Sequence, residues 1–98
     1  MTTLPIFFDI DGTLTDCPGA HKGKPIPERI KAVRELIESG QEVVIWSGGG
    51  TAYAVEFAKQ QGLAGAAVIG KPDTCIDDDP HIRPRDRMRV LSPETYFR

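Results

Sequence analysis

Short apolar runs at residues 5–8, 42–46 and 66–69 alternate with two stretches of helical periodicity, and this alternation constrains the fold more than any other feature of the 98-residue chain. Such trading of strand and helix over short loops predicts parallel strands, because a parallel pair needs a long connection and a helix supplies it. The first helix is expected to start at Pro27, whose fixed φ and missing N–H suit a first helical position. Its apolar stripe would be Ile30, Val33, Leu36 and Ile37, up to a stop at Gly40. A second helix is expected from about Thr51 to Gln61, ended by Gly62. Asp73–Ile76 and Met88–Leu91 read as a fourth and a fifth strand. The expected fold class is α/β: an open Rossmann-like sandwich of about five mainly parallel strands with helices on both faces, forming one domain over residues 1–98 without a cap domain.

In such a sheet, ligands bind beyond the carboxyl ends of the strands, so the residues at those ends carry the functional information. The first run, Phe7-Phe8-Asp9-Ile10-Asp11-Gly12-Thr13-Leu14-Thr15-Asp16, stops abruptly in two carboxylates and a glycine turn. Residues 5 to 8 read as a strand buried on both faces, and strand alternation aims Asp9 and Asp11 the same way. Two like charges so close persist where a divalent cation neutralises them or where one keeps a proton, and either condition suits phosphate chemistry. A bare pair of aspartates is as readily an acidic turn; the longer string favours chemistry. The other strand ends are polar as well: Ser47 followed by Gly48, Gly49 and Gly50, then Lys71, then Asp77-Asp78-Asp79. All would line one crevice. There the Ser47 hydroxyl, with Gly48 and Gly49 opening a helix N-terminus, could donate to a phosphoryl group, although an ordinary strand-to-helix turn has the same composition. Lys71 would be a point charge for that group, and Trp46 part of the core or of the crevice wall.

Composition narrows the partners. With 12 basic and 14 acidic side chains the formal charge is −2, so no global field attracts a polyanion. Cys17 and Cys75 have no metal-ligand spacing, which makes a reducing, cytoplasmic setting the simpler expectation. The apolar stretch Leu4–Phe8 is far shorter than a signal-peptide core or a membrane span, so no membrane partner is expected. A local basic patch does exist: Arg83, Arg85, Arg87 and Arg89 alternate as on one face of an extended segment. Edge strands often carry charge to prevent edge-to-edge pairing, and that reading is favoured over backbone tracking along a nucleic acid. His21 and His81 fall in loops without metal-ligand spacing, and residues 17–26, rich in Gly, Pro and Lys, form at most a short flap.

Asp9-Ile10-Asp11-Gly12-Thr13, Ser47, Lys71 and Asp77-Asp78 resemble, in order, the four motifs of the haloacid dehalogenase superfamily of phosphohydrolases. The resemblance implies roles. Asp9 would be a nucleophile forming an aspartyl-phosphate, and Asp11 a general acid toward the leaving oxygen and then a general base toward water. Mg²⁺ would be held by Asp9, by the backbone carbonyl of Asp11 and by Asp77 or Asp78, with Asp78 placed slightly behind and Asp79 solvated. An acid at the position of Asp11 points to phosphate-ester hydrolysis or phosphoryl transfer, since dehalogenases of the superfamily lack one there.

Two departures from the pattern matter. No stretch is long enough for a cap domain, so the site should be open to large phosphorylated substrates unless a second copy of the chain covers it. Only Pro72–Ile76 separates Lys71 from Asp77, so a helix common in that place is missing. The leading expectation is a Mg²⁺-dependent phosphomonoester hydrolase acting on a small molecule or a polymer end. A nucleic-acid end phosphatase and a non-catalytic phosphate-binding module of the same fold are the alternatives.

Overall fold

Three parallel strands, β1 (Ile6–Asp9), β2 (Val43–Ser47) and β3 (Ala67–Gly70), lie side by side in chain order in a computed structural model that describes residues 4–78 and 89–98. Helix α1 (Pro27–Glu38) joins the first two and α2 (Thr51–Gln60) the last two; a single turn, α3 (Pro93–Tyr96), stands near the carboxyl end. The register sets Phe8 beside Ile45 and Ile45 beside Val68, and it sets Asp9 beside Trp46 and Trp46 beside Ile69. The carboxyl ends of the strands therefore finish together. This brings Asp9, Ser47 and Gly70 to one rim of the sheet.

In-register residues of parallel strands share a face, so Ile6, Phe8, Val43, Ile45 and Val68 form one side. That side is the core. It packs on Ile30 and Val33 of α1 and on Ala54, Phe57 and Ala58 of α2. Both helices thus lie on the same face, as successive crossovers of one hand between neighbouring strands require. The helices are also tied to each other: Arg34 of α1 donates from Nη2 to the Gln61 carbonyl at 2.7 Å, supplying a cation to the carboxyl end of α2.

The helical boundaries follow local chemistry. Pro27 occupies the first turn of α1, and Gly40 (φ 93°) leaves the helix in a conformation that a side chain would strain. At α3, the Ser92 hydroxyl accepts from the Thr95 amide at 3.2 Å, a cap that Ser92-Pro93-Glu94 signals in sequence but that was not expected. The turn holds Phe97 against Phe8, with ring centroids 6.0 Å apart, and under the Arg29 guanidinium at 5.1 Å.

Several expectations are corrected here. Among the described residues the sheet has three strands, not five. Asp73–Ile76 is irregular, and Ile76 is 94% exposed, because one isoleucine beside an acidic run offers too little apolar surface to dock on the β3 edge. Arg89–Leu91 is also irregular, while Met88 lies outside the described residues, as do Asp79, His81, Arg83, Arg85 and Arg87. Among the described residues the helices cover one face rather than both. In consequence β1 is not buried on both sides: Phe7, Val44, Trp46 and Ile69 make a second apolar face, on which Phe7 and Ile69 are 36% and 41% exposed. Phe7 and Trp46 satisfy each other there, edge to face at 4.6 Å.

Candidate active site

The turn after β1 is wound around a single acceptor. The amides of Thr13, Leu14 and Thr15 all donate to the Ile10 carbonyl, at 3.1, 2.8 and 3.1 Å. Gly12 takes φ 80°, which its missing Cβ permits, and its amide donates to Thr15 Oγ1 at 3.2 Å. Ile10 and Leu14 are fully buried, so the turn is pinned from below while Asp9 and Asp11 stay at the rim, half-buried. Arg29 Nη1 of α1 donates to the Thr13 carbonyl at 3.0 Å and fixes the far side of the turn.

The two carboxylates have different surroundings. Asp9 meets Lys71, whose Nζ lies 3.1 Å from Oδ1, and accepts from the Thr13 hydroxyl on Oδ2 at 3.3 Å. Asp11 accepts on Oδ1 from the Tyr53 phenol at 2.6 Å and faces the Ser47 hydroxyl across 3.4 Å at Oδ2. Ser47 is fully buried, accepts from the Gly49 amide at 2.9 Å, and receives the Lys71 amide on its carbonyl at 2.8 Å. One backbone bond therefore couples the end of β2 to the placement of Lys71. The Lys71 ammonium also stands 5.7 Å above the Trp46 ring, so Trp46 is crevice wall.

Asp9, Asp11, Ser47 and Lys71 are thus brought together, with Gly48 and Gly49 exposed beside Ser47 where α2 begins. Helix α2 has no side-chain cap, so its first amides remain donors for an anion. Asp77 and Asp78 are exposed on the segment that leaves β3. No three His, Cys, Asp or Glu side chains are grouped as a metal cage among the described residues. The donors that do suit Mg²⁺, which takes hard oxygens and retains water, are the Asp9 carboxylate and the Asp11 carbonyl, the Thr13, Leu14 and Thr15 amides having gone to the Ile10 carbonyl instead.

Two contacts were missed in the sequence. Thr13 was read only as part of a motif, yet its hydroxyl touches Asp9. Tyr53 was not singled out at all. Helical side chains lean toward the helix N-terminus, so a tyrosine in the first turn after Ser47-Gly48-Gly49-Gly50 is aimed back at the strand ends, and that was the available signal. Burial and the hydrogen bond to Asp11 both push the Tyr53 phenol above its ordinary pKa, so it stands as a donor. The expected flap also acquires a definite form. Thr15 and Pro25 bridge, the Asp16 amide donates to the Lys24 carbonyl at 3.0 Å, and the loop tip lays His21 (φ 67°) edge-on against Tyr53 at 4.4 Å.

The carboxyl rim of the parallel sheet thus carries two aspartates of unlike surroundings, a serine and a lysine. The family model for haloacid dehalogenase-like hydrolases matches residues 6–72, and the chain belongs to that family. Comparison with curated proteins and with solved structures gave no match. No helix among the described residues is long and apolar enough to cross a membrane.

Proposed function

We propose that this protein is a Mg²⁺-dependent phosphomonoester hydrolase that works through an aspartyl-phosphate on Asp9. The observation that carries the reading is the division of surroundings between the two carboxylates: a cation beside Asp9, hydroxyl donors on Asp11. The oxygen of Asp9 can attack phosphorus with Lys71 beside it to offset the charge of the phosphoryl group, whereas Asp11, which faces hydroxyls rather than a cation, is left to exchange a proton with the leaving oxygen.

Asp9 attacks the phosphoryl group in line as the ester oxygen departs, and Asp11 gives that oxygen its proton. Water, deprotonated by Asp11, then cleaves the acyl phosphate and restores both groups. Lys71 offsets the charge gathering on the phosphoryl oxygens. The Ser47 hydroxyl, only weakly engaged with Asp11 at 3.4 Å, turns toward those oxygens, joined by the Gly48 amide and the first turn of α2. Asp9, the Asp11 carbonyl and one carboxylate of Asp77 or Asp78 would hold Mg²⁺, whose charge would let a dianionic ester approach two aspartates.

Hydrolysis of p-nitrophenyl phosphate with Mg²⁺, and its loss in EDTA with recovery on adding Mg²⁺ back, is the expected result. Equal turnover with and without chelator overturns the metal-assisted reading. No turnover of any monoester in the presence of Mg²⁺ overturns the hydrolase reading in favour of a phosphate-binding module.

A further inference from the structure

We infer that Tyr53 is a positioning residue for acid catalysis: its phenol fixes the orientation of the Asp11 carboxyl group in the crevice, and the loop tip at His21 holds that phenol in place. The inference rests on the phosphomonoesterase reading above and extends it to a residue on α2.

The geometry is specific. The 2.6 Å bond from Tyr53 to Asp11 Oδ1 is the shortest polar contact around the site, and a phenol donating to Oδ1 makes that oxygen the acceptor. With Oδ1 anchored, the carboxyl group is held with Oδ2 turned the other way. Oδ2 is the oxygen that faces Ser47, the side on which the phosphoryl group binds in the proposed reaction. Without the phenol, the carboxyl group loses its anchor and can rotate.

The phenol is itself held on two sides. The His21 amide donates to Tyr53 Oη at 3.4 Å, and the His21 ring packs edge-on against the tyrosine ring. Below the ring, a Cβ built on Gly49 would come within 2.9 Å of Tyr53 Cδ2 and 3.2 Å of Ala20 Cβ, so ring, loop and glycine turn are in close contact. These contacts keep the phenol on the side of Asp11, as a group that must orient a catalytic carboxyl requires.

The step balances simply. The bond from Asp9 to phosphorus forms as the phosphorus–oxygen ester bond breaks, and a proton passes from Asp11 to the departing oxygen, leaving an alcohol, an aspartyl-phosphate and the Asp11 carboxylate.

Acid catalysis matters most for a poor leaving group, and this supplies the test. In Mg²⁺ buffer, kcat/KM is measured for p-nitrophenyl phosphate, whose leaving group needs little protonation, and for glycerol 2-phosphate, an alkyl ester that needs much. Tyr53→Phe keeps the ring packing and removes only the hydroxyl. Its loss on the alkyl ester should exceed its loss on the aryl ester by about tenfold or more, a fraction of the ~10²- to 10⁴-fold worth of a general acid. Asp11→Asn should show the same bias, and the double variant should be no worse than Asp11→Asn alone. Should Tyr53→Phe lose its cooperative melting transition, Tyr53→Gln, which retains a donor, is compared with Tyr53→Leu for recovery of the same alkyl-to-aryl ratio. Equal losses on both esters, or additive losses in the double variant, overturn the positioning role while leaving the hydrolase intact. A wild-type protein that turns over no monoester overturns the hydrolase reading, and this inference falls with it.

Discussion

Lys71 reaches from the end of β3 to Asp9 at the end of β1, 3.1 Å from its Oδ1, passing over Trp46 of the strand between them. Both side chains keep substantial exposure, 43% and 31%, so the pair is screened by water and contributes little to folding. Its position suits a site. Lys71→Met is expected to change stability by less than about 1 kcal/mol, as for exposed ion pairs, yet to reduce kcat on aryl phosphate severely. Thermal melting beside steady-state kinetics checks this, and matched losses in both would make the lysine structural.

Asp9→Asn removes the attacking oxygen anion and should abolish formation of the acyl phosphate. Beryllium fluoride, which imitates a phosphoryl group bonded to a carboxylate, is expected to bind wild type with Mg²⁺ and to spare the variant. Trp46 is the single tryptophan and stands beside Asp9 in the register under Lys71, so its fluorescence should report that binding directly. Near-normal turnover by Asp9→Asn would demand direct attack by water.

Gly70 sits where β3 meets the start of α2. An added Cβ there would fall 2.9 Å from the Thr51 amide nitrogen and 3.1 Å from Gly50, both backbone, and the Gly70 amide donates to Thr51 Oγ1 at 2.8 Å. Gly70→Ala should therefore cost about 1–3 kcal/mol, in the range of overpacking, and displace the adjoining Lys71. Denaturant unfolding measures the first effect, and a fall in kcat larger than the unfolded fraction explains would measure the second.

The Tyr53 phenol is raised above its ordinary value of about 10 by burial first and by its bond to Asp11 second. A raised folded-state pKa means that the folded protein holds this proton more firmly than the unfolded chain. The associated stability is fully present below about pH 10 and is lost as pH climbs through the folded value. The stability difference between wild type and Tyr53→Phe should hence be constant at neutral pH and shrink in alkali. Denaturation midpoints at a series of pH values test this, and a difference that grows with pH contradicts it.

The amino-acid order by itself determined the repeating strand–helix alternation, the starts of α1 at Pro27 and of α2 at Thr51, and the rim residues Asp9, Asp11, Ser47 and Lys71. These are local features: hydrophobic period, the fixed φ of proline, and polar groups placed at the ends of apolar runs. Folding decided the rest, because each remaining feature depends on contacts between distant segments. Asp73–Ile76 resembles a strand in composition, but docking on the β3 edge needs more apolar surface than one isoleucine beside an acidic run supplies, and Ile76 stays exposed. Which sheet face the helices cover depends on the hand of two crossovers, and a run such as Ile6-Phe7-Phe8 reads the same whether one face or two is buried. Tyr53 and Asp11 are 42 positions apart, and His21 is 32 from Tyr53; only the shared rim of the sheet brings the phenol, the carboxylate and the loop tip within hydrogen-bonding reach.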